Sequence, residues 1–249
     1  MPDTARQLSG GSSGSPILLG GILIGGRSSR MGTCKATLRL PSGETLLDHA
    51  LGCLQPHCDE IVISAADASQ VEGSPLKIVI DEEKFLGPAS GVAALLREAE
   101  SLRADAVLVL SVDLPRLRPS DLQPLVDAWC CDPQHLACGS FGDSLPQPLV
   151  AIYPTRYVND VSAVAASSQR GLLRWLRNRP HQRIALRPQA GCDVDTPQQW
   201  QSFISMMSAL VVIPCVLWND AFAFNEANHL IFGHATYIVR QCLPVDLPM

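Results

Sequence analysis

The 249-residue chain carries 24 acidic and 19 basic side chains, a net charge of −5, with 47% hydrophobic and 17% charged residues. That balance supplies no overall basic field to attract nucleic acid, and the length suffices for one α/β domain with an appendage and a sizeable buried core. Nine cysteines is an odd number, and residues 1–16 lack the charged-then-apolar pattern of a secretory leader, so reduced thiols in a cytoplasmic protein are expected.

Residues 1–16 are polar, with Gly10-Gly11-Ser12-Ser13-Gly14-Ser15 resembling a flexible linker, and disorder is expected there. The apolar run Ile17 to Ile24 follows, short and β-branched enough for a buried strand. It leads into Gly25-Gly26-Arg27-Ser28-Ser29-Arg30-Met31-Gly32, with Lys35 just beyond. The glycines permit a tight turn whose N–H groups can approach an anion, and Arg27, Arg30 and Lys35 add positive charge. The stretch lacks the adjacent Gly-Lys-Ser/Thr of a Walker loop and the spacing of a dinucleotide fingerprint. A phosphate-holding loop and an ordinary glycine turn both remain open readings of it.

Leu46, Leu47, Ala50, Leu51 and Leu54 repeat at helical spacing within 45–54, and Ile61-Val62-Ile63 reads as a second strand. A third, Ile78-Val79-Ile80, ends at Asp81. Phe85-Leu86-Gly87-Pro88-Ala89-Ser90-Gly91 reads as a loop of small residues before a helix over about 92–103. The fourth strand, Ala106 to Val112, breaks at Asp113-Leu114-Pro115, and a helix begins near Pro119 with Ser120 or Asp121 as its cap. Residues 136–153 suggest two extended pieces, 161–179 a helical region around Gly171, and Asp193-Val194-Asp195-Thr196-Pro197 the entry to a last short helix through Trp200 and Phe203. This alternation predicts an α/β fold with a mostly parallel central sheet between helical layers, followed by a C-terminal extension over 205–249 with no defensible periodicity. The apolar run Ala209 to Trp218 is interrupted by Pro214 and too short to span a bilayer, so no membrane partner is expected.

Ligands of such sheets sit beyond the carboxyl ends of the strands, a rule that collects the opening loop, Asp81, Gly87 to Gly91 and Asp113 on one rim. Asp113 follows a buried strand and could hold Mg²⁺, which takes one or two carboxylates plus phosphates and water; it could equally cap the turn before Pro115. Asp193 and Asp195 lie two apart and share a side of an extended segment, with Asp193 the better second metal ligand and Asp195 or Thr196 a candidate helix cap. The groups Cys53, His57, Cys58 and Cys130, Cys131, His135, Cys138 lack paired Cys-x-x-Cys spacing, and free cysteine is often a small core residue. No Ser-His-Asp or Cys-His set stands out, which fits phosphoryl or nucleotidyl transfer, where positioning and charge neutralisation suffice.

Taken in order, Leu23-Ile24-Gly25-Gly26-Arg27-Ser28-Ser29-Arg30-Met31-Gly32 with Lys35, then Asp81, Gly87 to Gly91, Val112-Asp113-Leu114-Pro115, Pro148 to Pro154 and Asp193 to Pro197, resemble the blocks of the molybdenum cofactor guanylyltransferases. The resemblance covers residues 17–204 and implies a Rossmann-like nucleotidyltransferase domain that takes GTP and the molybdopterin form of molybdenum cofactor, makes the guanine dinucleotide and releases pyrophosphate. It places Leu23, Gly25, Gly26, Lys35, Asp81 and Asp113 at the nucleotide, with Arg30, Lys35 and Asp113 as the catalytic set and Mg²⁺ on Asp113 and Asp193. It also extends the partners to molybdoenzyme maturation proteins. Gly25 favours guanine, since relatives using CTP resemble Leu-Ala-Ala-Gly at this place and a missing side chain admits a larger purine.

Three departures from the family pattern stand out. Cys34 stands where an aspartate usually precedes the lysine, Asp193 and Asp195 stand where Asn-x-Asn is common, and Ile24 replaces a small alanine. Aspartates at the final motif occur in cytidylyl relatives. The alternatives are therefore a cytidylyltransferase using CTP, a sugar-nucleotide pyrophosphorylase of the same general fold, or a catalytically weakened nucleotide-binding module.

Overall fold

The computed structural model of the chain describes residues 16–24, 34–71, 74–80, 87–168, 171–212, 229–232 and 235–238. Gly25, Gly26, Arg27, Arg30, Gly32 and Asp81 lie outside the described residues, as do the expected linker and most of the C-terminal extension. Two compact units divide the chain, Met1–Ser202 and Phe203–Met249.

The first unit is organised by β1 (Leu18–Leu23), whose six residues are all buried. Its neighbours are β2 (Glu60–Ala65) on one side and β4 (Ala106–Ser111) on the other, both parallel to it. The sheet continues through β3 (Lys77–Ile80) at one edge and, beyond β4, through β6 (Val150–Pro154), β5 (Leu136–Phe141) and β7 (His181–Leu186), giving the order β3-β2-β1-β4-β6-β5-β7. Only β6 runs against the rest, pairing antiparallel with both β4 and β5. A chain that must reverse direction between β5 and β6 can do so with a short connection, whereas each parallel step needs a crossover. The expected mostly parallel sheet is therefore present, with one inverted strand inside it.

Alternation along β4 sends Val107 and Val109 to one face and Leu108 and Leu110 to the other, all buried. The first face meets α2 (Pro88–Leu102), α4 (Val158–Ala166) and α5 (Leu172–Arg177), contributing Leu95, Leu96, Val161, Leu172 and Trp175 to a continuous core. The second face meets α1 (Leu46–Leu54) and α3 (Pro119–Cys131), whose Leu46, Leu54, Leu122, Leu125 and Trp129 are buried. Gly21 is one point of close approach between the layers. A Cβ there would stand 2.6 Å from Leu95 Cδ1 and 2.9 Å from Val107 Cγ1, so the absent side chain is what lets α2 reach β1.

Helix starts follow local chemistry. Thr45 and Asp48 form a reciprocal capping box, Asp48 N–H donating to Thr45 Oγ1 at 3.0 Å and Thr45 N–H to Asp48 Oδ2 at 2.9 Å. Two expectations are corrected here. Gly87 to Gly91 is not a loop: Gly87, at φ 96, precedes the helix and Pro88 opens its first turn. Proline at the first helical position loses only an N–H that would be unpaired anyway, and the small residues pack flush against the sheet. The start of α3 moves likewise, with Arg118 at the cap position and Asp121 accepting its N–H at 2.8 Å. The last helix, α6 (Pro197–Val212), is longer than expected, and β7 was not anticipated because its polar, half-exposed pattern carries no apolar run.

The second unit holds a hairpin of β8 (His229–Phe232) and β9 (Ala235–Ile238), paired antiparallel. No helix among the described residues is long and apolar enough to cross a membrane.

Candidate active site

Parallel register puts the ends of β1 and β4 side by side, Leu23 opposite Ser111. Past these ends the backbones stay tied, Val112 N–H donating to Leu23 O at 3.2 Å. Leu23 itself is buried, so it forms the floor under the point where the glycine stretch departs. The chain after that stretch returns as the 3-10 turn Lys35–Thr37, steadied by Thr37 Oγ1 donating to Cys34 O at 2.9 Å. Cys34 in turn points its thiol to Gln70 O at 3.8 Å.

From this turn Lys35 reaches over the strand ends. Its Nζ lies 3.0 Å from Asp113 Oδ2 and 2.5 Å from Asp195 Oδ1. The lysine and Asp113 side chains are 16% and 20% exposed and Asp195 47%, so the junction is sheltered but open to solvent on the Asp195 side. Burial works against the Lys35 charge. The Asp113 charge and the hydrogen bonds to Asp195 and Asp113 outweigh it, holding the ammonium above its ordinary value of 10.5.

Each carboxylate is positioned by its own neighbours. Ser111, two residues before Asp113 and on the same side of the strand end, donates Oγ to Asp113 Oδ1 at 2.6 Å. Val194 N–H donates to Asp113 O at 3.1 Å, which fixes the acidic segment 193–195 against the end of β4. Thr196 and Gln199 cap α6: the N–H groups of Asp195 and Thr196 donate to Gln199 Oε1 at 2.9 Å each, and Gln199 N–H to Thr196 Oγ1 at 3.2 Å. The open choice between Asp195 and Thr196 as cap falls to Thr196, leaving the Asp195 carboxylate for Lys35.

Asp193 takes no part in the Lys35 ion pairs. Its carboxyl is pushed up from the ordinary value of 3.8, first by burial and then by the Asp195 and Asp113 charges, with Lys35 acting the other way. Among the described residues, Asp193 thus feels two further carboxylates beside the Lys35 ammonium. Among the described residues no set of three or more His, Cys, Asp or Glu side chains is arranged to hold a metal ion by itself. An excess of acid over base with few protein ligands suits a hard divalent cation whose remaining ligands come from phosphate and water.

The thiols of the cysteine groups behave as core or surface residues. Burial pushes Cys53, Cys58 and Cys138 up to about 12, and Cys53 donates to Leu117 O at 3.4 Å.

Lys35 and Asp113 are brought together as expected, on the rim beyond β1 and β4. Asp195 as the second partner of Lys35 and Ser111 as the donor that orients Asp113 were missed. The two-residue spacing of Ser111 with Asp113 carried the signal for the second; nothing local could give the first.

A cation from the loop after β1 set against acids at the end of β4 and before the last helix, above a sheet of this order, defines a nucleotidyltransferase. The family model described as MobA-like NTP transferase domain matches residues 20–184, and the chain belongs to that family. It is 40% identical over 188 residues to a probable molybdenum cofactor guanylyltransferase of Rhodopirellula baltica, covering 73% of this chain and 89% of the relative. The fold is shared with the molybdopterin-guanine dinucleotide biosynthesis protein A of Archaeoglobus fulgidus, at a TM-score of 0.63 and 20% identity over 77% of this chain and 99% of that one. It is shared too with a Mycobacterium tuberculosis H37Rv protein solved in complex with manganese, at a TM-score of 0.59 and 16% identity over 77% of this chain and 100% of that one.

Proposed function

We propose that this chain transfers the GMP unit of GTP to the molybdopterin form of molybdenum cofactor, yielding the guanine dinucleotide and pyrophosphate. The observation that carries the reading is the Lys35 ammonium held at 3.0 Å from Asp113 on the carboxyl rim of the sheet, in a chain 40% identical to a probable molybdenum cofactor guanylyltransferase. The cofactor's terminal phosphate oxygen attacks the α-phosphorus. A new P–O bond forms there as the bond to the bridging oxygen of the β-phosphate breaks, and that oxygen leaves with pyrophosphate.

Lys35, with Arg30 from the loop outside the described residues, neutralises charge building on the leaving phosphates. Gly25 and Gly26 leave room for the purine, and Asp81 meets the base and ribose. A divalent cation, Mg²⁺ in this reading, would be held by Asp113 with Asp193 or Asp195 completing the protein's share. When bound it supplies positive charge to the α- and β-phosphates. Ser111 fixes the Asp113 oxygen that faces away from Lys35, so one carboxylate is oriented before any ligand arrives. In this reading the reaction runs in the cytoplasm, where GTP is available, and its product passes to molybdoenzyme maturation proteins.

Pyrophosphate release measured with purified molybdopterin and each of GTP, CTP and ATP tests this. Release with GTP that requires both the pterin and Mg²⁺ supports the reading, and turnover with CTP alone reassigns the base. Turnover with a sugar 1-phosphate in place of the pterin replaces the acceptor.

A further inference from the structure

We propose that in the free protein Lys35 stands where a divalent cation later sits between Asp113 and Asp195, and that the nucleotide's phosphate chain draws the lysine off, so that metal and nucleotide enter together. This rests on the nucleotidyl transfer proposed above but not on its base or acceptor.

The argument is one of shared oxygens. The ammonium is within direct contact of one oxygen from each carboxylate, 3.0 Å from Asp113 Oδ2 and 2.5 Å from Asp195 Oδ1. A small divalent cation needs about 2.1 Å to such oxygens, which puts it on the ground the ammonium already holds. The two cations exclude each other.

Charge says the same. Asp113 and Asp195 bring two negative charges and Lys35 returns one, so the pair is held but not neutralised. A free divalent ion must displace a partly buried ammonium from both acids and leave that ammonium without a counter-ion. This opposes metal binding in the absence of an anion. A triphosphate changes the balance by offering the lysine new acceptors, and its flexible four-carbon stem lets the ammonium turn from carboxylates to phosphates without moving the backbone. The vacated oxygens of Asp113 and Asp195 would then be open to a divalent cation, whose charge the phosphates help to balance. The coupling is reciprocal, so metal raises nucleotide affinity by the same factor as nucleotide raises metal affinity.

The anchoring of the two acids supports an exchange over a collapse of the site. Asp113 remains fixed by Ser111 Oγ at 2.6 Å, and Asp195 by its own N–H on Gln199 Oε1 at 2.9 Å, whichever cation lies between them.

The test is Mn²⁺ titration of the full-length protein without nucleotide, followed by electron paramagnetic resonance of the unbound ion. Lys35→Met is expected to bind Mn²⁺ about tenfold or more tightly than the unmodified chain. Lys35→Gln serves as a second variant, while Lys35→Arg, which keeps a cation on both acids, gains nothing. Adding Asp195→Asn to Lys35→Met removes the gain. Lys77→Met, which deletes a distant ammonium paired with Glu98 at 2.8 Å, leaves binding unchanged. The proposal is overturned if Lys35→Met and Lys35→Gln bind Mn²⁺ no more tightly than the unmodified chain, or if Lys77→Met gains as much. The titration contains no nucleotide or pterin and is independent of the pyrophosphate-release assay: tighter Mn²⁺ binding here with no GMP transfer there defeats only the functional reading, and GMP transfer there with no tighter binding here defeats only this one.

Discussion

Lys35 and Asp195, 160 positions apart in sequence, meet at 2.5 Å beyond the carboxyl ends of β1 and β4. The contact joins two distant parts of the first unit's sequence where a cation and acids meet. Lys35→Met is expected to lower GMP transfer about a hundredfold or more, the scale of losing one preorganised charge-stabilising group. Circular dichroism melting should show the fold retained. Near-normal turnover would remove Lys35 from the reaction.

Ser111 tests orientation separately from charge. Its hydroxyl donates to Asp113 Oδ1 at 2.6 Å while Oδ2 faces Lys35. Ser111→Ala is expected to raise the metal concentration needed for half-maximal activity about tenfold, as removal of an outer hydrogen-bond partner does, and saturating metal should recover most of kcat. An unchanged metal requirement would make the contact incidental.

Away from the site, Asp121 joins the start of α3 to the chain after β7. Arg187 grips it with Nε to Oδ1 at 2.9 Å and one terminal nitrogen to Oδ2 at 2.7 Å. Burial opposes the Asp121 charge, but the Arg187 hydrogen bonds and the Arg118 N–H outweigh it and hold the carboxyl below its ordinary value of 3.8. A carboxyl lowered on folding contributes stability above the unfolded value, lost as pH falls through the lowered folded one. Asp121→Asn is therefore expected to cost about 1–3 kcal/mol at neutral pH. The gap between variant and unmodified chain should close as urea melts are taken below pH 3.8; a gap that persists in acid would assign the loss to packing.

Gly21 tests the contact between layers. Gly21→Ala drives a methyl to 2.6 Å from Leu95 Cδ1, and α2 or β1 must shift to admit it. A loss of about 1–3 kcal/mol is expected from overpacking, read as a lowered melting temperature. An unchanged melt would mean Leu95 has room to turn aside.

Much of the fold was legible because it is written in apolar runs: β1, β2 and β4 each present consecutive buried residues, and β3 the apolar triplet Ile78-Val79-Ile80 although its residues are half-buried or exposed. β7 hid because an edge strand with a half-exposed pattern looks like a loop, and the first turn of α2 hid because Gly and Pro usually mark breaks. At the site, Lys35 and Asp113 followed from the rule that ligands collect beyond parallel strands. The pairing of Asp195 with Lys35 did not, since an aspartate before Thr-Pro is equally a candidate helix cap. Here a threonine and a glutamine take that task and release the carboxylate. The glycine stretch and Asp81 lie outside the described residues and stay as proposed.

The most direct test of the account follows the α-phosphate. The protein is incubated with molybdopterin, Mg²⁺ and GTP labelled at the α-phosphorus, and the pterin fraction is separated and counted. The account predicts label in a guanine dinucleotide, with one pyrophosphate released per label transferred. Label that remains with GTP, while α-labelled CTP gives a labelled pterin product, would contradict it.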